Sequence, residues 1–224
     1  MDIYELIGFI IGDGHIFYNK NCRRYRLELD GNVEEDYDYF VKIKEFLKDL
    51  SSSKPQFFIH EREKGRTLVI MLHDKAFMDK LISMGIPAGK KTFTITIPDN
   101  LSKENTISVI RGLFEADGCL YFSKSKVGQY PTYPRLEIKT SSEALLRQLK
   151  EILTECGFNP YIRRSKSDRT PAIGVSGEKS LERWRNIFGF VSLKNQTKYN
   201  FWKAKGFYIP RTPLGERTKY AHVA

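Results

Sequence analysis

The chain opens with an apolar run that ends on an acidic residue and a glycine. Residues 6–14 read LIGFIIGDG, and apolar side chains fill nearly every position from 3 to 11. This pattern predicts a helix that is buried on most sides. Asp2 is a suitable N-cap with Glu5 three residues later, and Gly14 marks the end of the helix. The carboxylate of Asp13 would then lie at the negative end of the helix dipole, which is electrostatically unfavourable.

Alternating polar and apolar residues follow the first helix. Residues 15–21 and 23–30 (HIFYNKN and RRYRLELD) predict a hairpin with one apolar face and one charged face. Residues 55–61 and 66–72 predict a second hairpin around the turn at 63–65. Residues 34–47 and 75–85 have the spacing of amphipathic helices. The first half of the chain therefore predicts helix, two strands, helix, two strands and helix.

The same order of segments occurs twice along the chain. LIGFIIGDG returns as IRGLFEADG at 110–118, which places Asp13 and Asp117 104 residues apart, and YRLELD at 25–30 returns as PRLEIK at 134–139. MGIPAGKKT at 84–92 aligns with FGFVSLKNQT at 188–197, pairing Lys90 with Lys194. A repeat of this length predicts two similar units of an α+β fold. We expect a first repeat at 1–95, a linker at 96–106 with a helix start at Ser102, a second repeat at 107–205 and a tail at 206–224.

The charge of the chain narrows the class of partner. Lys and Arg number 37 against 27 for Asp and Glu, giving a net charge of +10. This surplus is typical of proteins that bind a polyanion. The three cysteines are odd in number and far apart, so they indicate neither a disulfide framework nor a zinc site. The first apolar run is too short for a membrane span and no charged leader precedes it, which predicts an intracellular protein.

The predicted sheets leave two faces rich in Arg, Lys, Tyr and other polar residues. Such side chains can contact base edges and phosphates, and a two-stranded ribbon fits the major groove of DNA. An ordinary solvated sheet face would carry Lys and Glu in more equal numbers. The expected DNA-contacting residues are Tyr18, Lys20, Arg24, Arg26, Glu28, Asp30, Arg62, Lys64 and Arg66 in the first repeat, and Tyr121, Ser123, Lys124, Lys126, Arg135, Glu137, Lys139, Arg163 and Lys166 in the second.

Small residues at a spacing of four mark one side of each opening helix. Gly8 and Gly12 in the first copy match Gly112 and Ala116 in the second, and this spacing allows two helices to approach closely. Packing of these helices would bring Asp13 and Asp117 side by side.

Two such carboxylates repel each other unless a cation or proton offsets the charge. A hard ion such as Mg²⁺ supplies that offset and can activate water for attack on a phosphodiester. A single Asp-Gly step would be an ordinary turn. Paired carboxylates also serve glycoside hydrolysis, but a two-fold repeat does not provide the dissimilar environments that an acid and a base need.

The doubled motif, together with GIPAGKK and the order of the elements, resembles the LAGLIDADG homing endonucleases in their single-chain, two-repeat form. The resemblance covers residues 3 to about 200. It implies two pseudo-symmetric αββαββα repeats packed through the LAGLIDADG helices, with antiparallel sheets that form a saddle over duplex DNA. It also implies a monomer that cleaves both strands of a long asymmetric target with Mg²⁺, for which Mn²⁺ can substitute, and that leaves short 3′ overhangs.

The resemblance also implies roles for individual residues. Asp13 and Asp117 would be catalytic metal ligands, with the main chain of Gly12 and Ala116 beside them. Lysines near the cleavage site would stabilise phosphate charge, and the best-matching positions are Lys90, Lys91, Lys139 and Lys194. Asp30 occupies the strand position equivalent to Lys139, so the two strands of the target would be cut at unequal rates. Arg111 and Glu115 depart from the motif, and we expect Arg111 to point outward.

Three functions remain open at this point. The leading prediction is a site-specific DNA endonuclease of intron origin, since both acidic positions are intact. An intein-embedded form would have to be an excised fragment. An RNA maturase that binds intron RNA, or a DNA-binding protein without catalysis, would share the basic sheets. The compartment would be the cytoplasm of a prokaryote or an organelle.

Overall fold

A computed structural model describes residues 1–62, 65–124, 128–164 and 170–220. The predicted DNA contacts Lys64, Lys126 and Lys166 lie outside the described residues, as does the side chain of Arg62. The first repeat contains α1 Ile3–Asp13, β1 Gly14–Asn19, β2 Arg24–Asn32, α2 Tyr37–Leu50, β3 Gln56–Arg62, β4 Gly65–Leu72 and α3 Lys75–Ser83. The second contains α4 Lys103–Asp117, β5 Gly118–Lys124, β6 Pro131–Lys139, α5 Glu143–Glu155, β7 Tyr161–Arg163, β8 Ala172–Ser176 and α6 Glu178–Ile187. The chain then forms α7 Leu193–Lys205, α8 Leu214–Arg217 and a 3-10 turn, Thr218–Tyr220.

The predicted α+β order of elements is confirmed in both repeats. The Asp2 carboxylate accepts hydrogen bonds from the amides of Tyr4 and Glu5 at 2.9 Å, so it caps α1 as expected. The Ser102 hydroxyl accepts one from the Asn105 amide at 3.2 Å and caps α4. The helix therefore begins within the stretch 96–106 that we expected to be a linker.

Each repeat contains one antiparallel sheet of four strands. The strand order is β1-β2-β4-β3 in the first sheet and β5-β6-β8-β7 in the second. The two faces of each sheet differ. The face that packs on the helices, here called the helix face, carries Leu27 and Leu29 in β2 and Leu136 and Ile138 in β6. The opposite face is called the open face. The helix-face side chains are buried in one apolar core that both repeats share. The open faces are thus free of the helices of their own repeat.

The two repeats pack through α1 and α4. Gly8 faces Val109 and Gly12 faces Ala116, so the helices are parallel and their C-termini lie together. A Cβ atom added at Gly8 would overlap the carbonyl oxygen of Val109, and one added at Gly112 would overlap that of Glu5. Only glycine permits this approach of the two backbones.

The two motif departures make contacts that the sequence did not reveal. The expectation that Arg111 points outward is wrong, because its Nε donates to the Phe188 carbonyl at 2.6 Å and its guanidinium lies 3.7 Å from the Glu5 carboxylate. Glu115 is buried and accepts hydrogen bonds from the amide of Val191 at 2.8 Å and from the Asn195 side chain at 2.8 Å. The acidic side chain therefore anchors the start of α7.

The C-terminal segment packs against the second repeat. Phe201 and Trp202 are buried, and the Trp202 indole donates to the Thr132 carbonyl at 2.8 Å. Tyr208 lies against Phe122 with ring centroids 5.2 Å apart. Among the described residues, no helix is both long enough and apolar enough to cross a membrane.

Candidate functional site

Asp13 and Asp117 are the last residues of the paired helices α1 and α4. The helices are in contact up to this end: a Cβ atom at Gly12 would lie 2.6 Å from the Ala116 Cβ and 3.0 Å from an Asp117 carboxylate oxygen. Both aspartates precede the first strand of a sheet, since β1 begins at Gly14 and β5 at Gly118. The structure thus brings the two predicted carboxylates together where the helix pair meets both sheets.

A lysine is bound at the C-terminal end of each helix. The Lys91 ammonium donates to the carbonyls of Ile11 at 2.6 Å and Gly12 at 2.9 Å. The Lys194 ammonium donates to the Glu115 carbonyl at 3.2 Å and to the Asp36 carboxylate at 2.7 Å. Both cations therefore satisfy helix-end carbonyls and offset the negative dipole end on which each aspartate lies.

Burial and neighbouring charges shift the pKa values of the groups in this site. Burial raises the pKa of Asp117 to about 7, the nearby Asp13 carboxylate raises it as well, and Lys91 lowers it. Asp13 keeps an exposed surface, yet partial loss of hydration raises its pKa, and the Asp36 carboxylate adds to that effect. Burial lowers the pKa of Lys91, against the opposing attraction of the two aspartates. Several shifted groups that lie together are typical of functional sites.

The two halves of the site differ in charge. A cavity of about 330 Å³ beside Asp117 is lined by Lys91, Lys139 and the small polar residues Thr140 and Ser141. Beside Asp13 lie the carboxylates of Asp30 and Asp36 and the ammonium of Lys194. Asp30 and Lys139 occupy equivalent strand positions, because Gly14 pairs with Leu29 and Gly118 pairs with Ile138.

The predicted lysines differ in where the structure places them. Lys91 and Lys194 occupy the equivalent positions, 103 residues apart, whereas the sequence alignment had paired Lys90 with Lys194. Lys90 is exposed. Asp36 was not predicted, because it lies in the turn before α2 and is brought beside Asp13 only by tertiary packing, where it binds Lys194, 158 residues away. No local pattern in the sequence signals that contact.

The site has oxygen donors suited to a hard divalent ion but few of them. In the described part of the chain, no group of three or more His, Cys, Asp or Glu residues could hold a metal. Mg²⁺ is commonly held by one or two carboxylates together with water and substrate phosphates. The two aspartates fit that mode, and their mutual repulsion is the feature that a cation would relieve. The Gly12 carbonyl, a predicted neighbour of the metal, accepts its hydrogen bond from Lys91.

The open face of the second sheet carries a hydrogen-bonded cluster centred on Glu137. The carboxylate is 4 % exposed and accepts hydrogen bonds from the hydroxyls of Tyr121 at 2.9 Å and Tyr161 at 3.0 Å. The Arg163 guanidinium binds it at 2.8 Å. Burial alone would raise the pKa of Glu137, but these donors prevail and lower it. The cluster holds the aromatic and basic side chains of this face in fixed positions.

Beside this cluster, the Arg135 Nε donates to the Ser123 hydroxyl at 3.1 Å, and the guanidinium lies 5.4 Å from the centre of the Tyr133 ring. Lys124 and Lys139 are exposed at strand ends. Tyr133 and Tyr161 share this face and were not predicted. The alternation that identified Arg135 and Glu137 also marks Tyr133, and Tyr161 stands two residues before Arg163.

The open face of the first sheet is less tightly connected. Arg26 and Glu28 form an ion pair at 3.0 Å, and both are partly exposed. Arg24 and Lys20 are exposed. The register also places His15, Phe17 and Asn19 of β1 on this face, opposite Glu28, Arg26 and Arg24. The sequence analysis missed these three, although they follow from the alternation within the same strand.

Two predicted contacts of the first sheet lie on its helix face. Tyr18 pairs with Tyr25 next to the core, and its hydroxyl donates to the Asp79 carboxylate of α3 at 2.6 Å. Arg66 stands two residues before Leu68 in β4 and therefore lies on the same face of the sheet. Its Nε atom lies 3.2 Å from the Glu61 carboxylate. Their assignment to the DNA-contacting face was wrong, because each stands one residue out of phase with the polar positions of that face.

Comparisons with known proteins agree with this architecture. The LAGLIDADG-like domain profile matches residues 104–189. The replication factor C small subunit of Methanocaldococcus jannaschii is 31% identical over 221 residues, which are 92% of this chain but 12% of that protein. The chain therefore spans only a small part of this curated relative.

Solved structures share the fold at low sequence identity. The homing endonuclease I-DmoI, in a set of mesophilic variants, aligns with a TM-score of 0.59 and 19% identity over 84% of this chain and 95% of that chain. I-WcaI bound to its DNA recognition sequence aligns at 0.57 and 19% identity, over 84% and 81%. I-SmaMI, bound to uncleaved DNA with calcium ions, aligns at 0.61 and 10% identity, over 99% and 98%. The chain thus carries a LAGLIDADG-like domain in its second repeat and has, over nearly its whole length, the single-chain two-repeat fold of the LAGLIDADG homing endonucleases.

Proposed function

We propose that this protein is a site-specific, double-stranded DNA endonuclease that requires a divalent metal ion. The observation that carries the proposal is the juxtaposition of Asp13 and Asp117 at the C-terminal ends of two parallel helices, with one lysine bound to the last carbonyls of each helix. DNA cleavage needs negative ligands for a cation and positive groups for the phosphate, and this arrangement supplies both.

The substrate would lie across the two open faces with one scissile phosphate near each aspartate. Arg24 and Arg26 on one sheet, and Arg135 and Arg163 on the other, are placed to contact bases and phosphates. The two sheets differ in sequence, so the target would be asymmetric. Short 3′ overhangs and action as a monomer belong to the same proposal and rest on the shared fold.

The residues of the site have separable tasks. Asp13 and Asp117 would hold Mg²⁺ or Mn²⁺, which supplies Lewis-acid stabilisation of the phosphate and lowers the pKa of water. Lys91 and Lys139 would stabilise charge on the phosphate at the Asp117 side. Lys194 would do so at the Asp13 side, where Asp30 and Asp36 reduce the positive charge. One strand would then be cut faster than the other, and a nicked intermediate would accumulate.

The test is cleavage of a plasmid library that carries randomised long duplex sites, with Mg²⁺ and then with EDTA. We expect linear product only with the metal and at a small family of related sites. Asp13→Asn and Asp117→Asn should abolish cutting and retain binding, whereas Asp99→Asn, an exposed aspartate away from the helix ends, should cut normally.

Cutting by either helix-end variant at the wild-type rate would exclude the metal-ligand role. Tight DNA binding without any cutting by the wild-type protein would exclude the endonuclease. Splicing of an intron RNA would then be the next assay, since basic sheets can also bind RNA.

A further inference from the structure

The C-terminal segment contacts the first repeat, so residues from opposite ends of the sequence meet. Arg217, the last residue of α8, is fully buried. One guanidinium nitrogen donates to the carboxylate of Glu35 in the first repeat. Another donates to the Lys194 carbonyl at 3.0 Å. A buried charge of this kind is costly to leave unpaired, so both partners are held in place by it.

Both partners of Arg217 adjoin the Asp13 half of the site. Glu35 immediately precedes Asp36, whose carboxylate binds the Lys194 ammonium at 2.7 Å and the Asn32 amide at 2.8 Å. Lys194 in turn binds the Glu115 carbonyl at the end of α4, and its charge, like that of Asp36, acts on Asp13 at the end of the neighbouring helix α1. Arg217 therefore binds the side chain of the residue before Asp36 and the main chain of Lys194.

The opposite half of the site is built from other parts of the chain. Lys91 binds the carbonyls of Ile11 and Gly12 at the end of α1, and the cavity beside Asp117 is lined by residues 11–12, 91–92, 95, 117, 139–141 and 170. Within the described residues, those that line this cavity include none beyond Thr170.

We propose that Arg217 is a positioning residue that fixes Lys194 and Asp36 and thereby controls cleavage at the Asp13 side only. This inference rests on the proposed endonuclease function. Loss of Arg217 lets the Lys194 main chain and the turn that carries Asp36 move independently. The Lys194 ammonium then leaves the helix end, while Lys91 keeps its place at the other half.

The experiment measures the rate of cutting of each strand separately, on a cleavable duplex labelled on both strands. Lys194→Met first identifies the strand that depends on the Asp13 side. Arg217→Met should slow that same strand at least tenfold and leave the other within twofold, and Arg217→Lys should restore part of the loss. Glu35→Gln, which weakens the same contact from the first repeat, should show the same strand preference in a smaller measure.

Trp202→Phe is the matched control, because it removes the hydrogen bond that joins the C-terminal half of α7 to the Thr132 carbonyl, about two turns away from Lys194. Equal slowing of both strands by Arg217→Met and by Trp202→Phe would overturn the inference, since it would show a general structural effect. Wild-type rates on both strands in a folded Arg217→Met protein would overturn it as well.

A second measurement does not depend on cleavage. Lys194 has a side chain that is 15% exposed, so an amine-reactive label should modify it slowly. Its labelling relative to that of Lys139 should rise at least fivefold in Arg217→Met and in Glu35→Gln, and should not change in Trp202→Phe. Unchanged labelling would refute the positioning role even if the protein cut no DNA, whereas increased labelling without any cutting would refute only the proposed function.

Discussion

At the scale of one residue, Asp117 shows how the site lowers the stability of the protein when no metal is bound. Its pKa of about 7 means that the folded protein holds the proton more tightly than the unfolded chain does, where the usual value is 3.8. Stability therefore falls as pH rises between these two values, because the unfolded chain gains a well-hydrated charge while the folded state still holds the proton.

Replacement of this group should remove that pH dependence. In EDTA, the free energy of unfolding of the wild-type protein should fall between pH 5 and pH 8 by about 2 kcal/mol more than that of Asp117→Asn. Urea denaturation at the two pH values measures the difference, with Asp99→Asn as a control that should follow the wild type. An identical pH dependence in Asp117→Asn and the wild type would contradict a raised pKa at this position.

Glu137 and Glu28 occupy equivalent strand positions but have different surroundings. Glu137 is buried under two tyrosine hydroxyls and one guanidinium, whereas the side chain of Glu28 is 25% exposed and pairs with Arg26. A buried carboxylate with several donors leaves those donors unsatisfied when it is lost, and a surface pair does not.

The Gln variants of the two positions should separate these cases. Glu137→Gln should lower the free energy of unfolding by about 1 to 3 kcal/mol, and Glu28→Gln should lower it by about 0.5 kcal/mol. The lowered pKa of Glu137 also means that its contribution is present above the usual value of 4.5 and is lost as pH falls through the folded value. The loss in Glu137→Gln should therefore shrink on acidification. Equal losses of unfolding free energy in the two variants at pH 7 would show that the Glu137 cluster stabilises the protein no more than the Arg26–Glu28 pair does.

At the scale of elements, the helix pair α1 and α4 determines the geometry of the site. The backbones meet at Gly8 and Gly112, which brings Asp13 and Asp117 together. Because main-chain atoms of the two helices touch at these glycines, a side chain at either position would push the helices apart.

A methyl group at this contact should therefore be severely destabilising. Gly112→Ala should lower the free energy of unfolding by about 3 kcal/mol or more, because the added carbon overlaps a main-chain oxygen that cannot move alone. Gly215→Ala is the matched control, since an added Cβ meets nothing within 4 Å there. Thermal unfolding of both variants tests this, and a Gly112→Ala protein as stable as Gly215→Ala would contradict the close approach.

At the scale of the whole molecule, the basic surplus should dominate DNA affinity. Each phosphate that a lysine or arginine neutralises releases counterions, so affinity falls steeply with salt. With six to ten phosphate contacts across two sheets, affinity for duplex DNA should fall by about 10³ to 10⁵ between 50 and 200 mM salt.

Single substitutions should show where these contacts lie. Lys20→Ala at the edge of the first open face should reduce the salt slope by about 1. Lys48→Ala, near the end of α2 and paired with Glu45, should leave it unchanged. Fluorescence anisotropy across a salt series measures both, and a shallow slope in the wild-type protein would refute binding through the basic faces.

The sequence by itself determined the repeat, the order of the elements and the two acidic helix ends. These features come from local periodicity, caps and small residues spaced by four, which act within a few residues of one another and therefore leave a readable pattern. The open face of the second sheet followed from alternation for the same reason, and a one-residue error in phase was enough to misplace Tyr18 and Arg66.

Only the tertiary structure decided which charged groups meet. Asp36 reaches Lys194 across 158 residues, Arg217 reaches Glu35 across 182, and Glu115 reaches Asn195 across 80. Folding brings such partners together through the packing of helices, so neither member carries a mark of the other in its neighbourhood. One difference in charge between the Asp13 and Asp117 halves, Asp30 against Lys139, is visible in the sequence, whereas the presence of Asp36 beside Asp13 comes only from these long-range contacts.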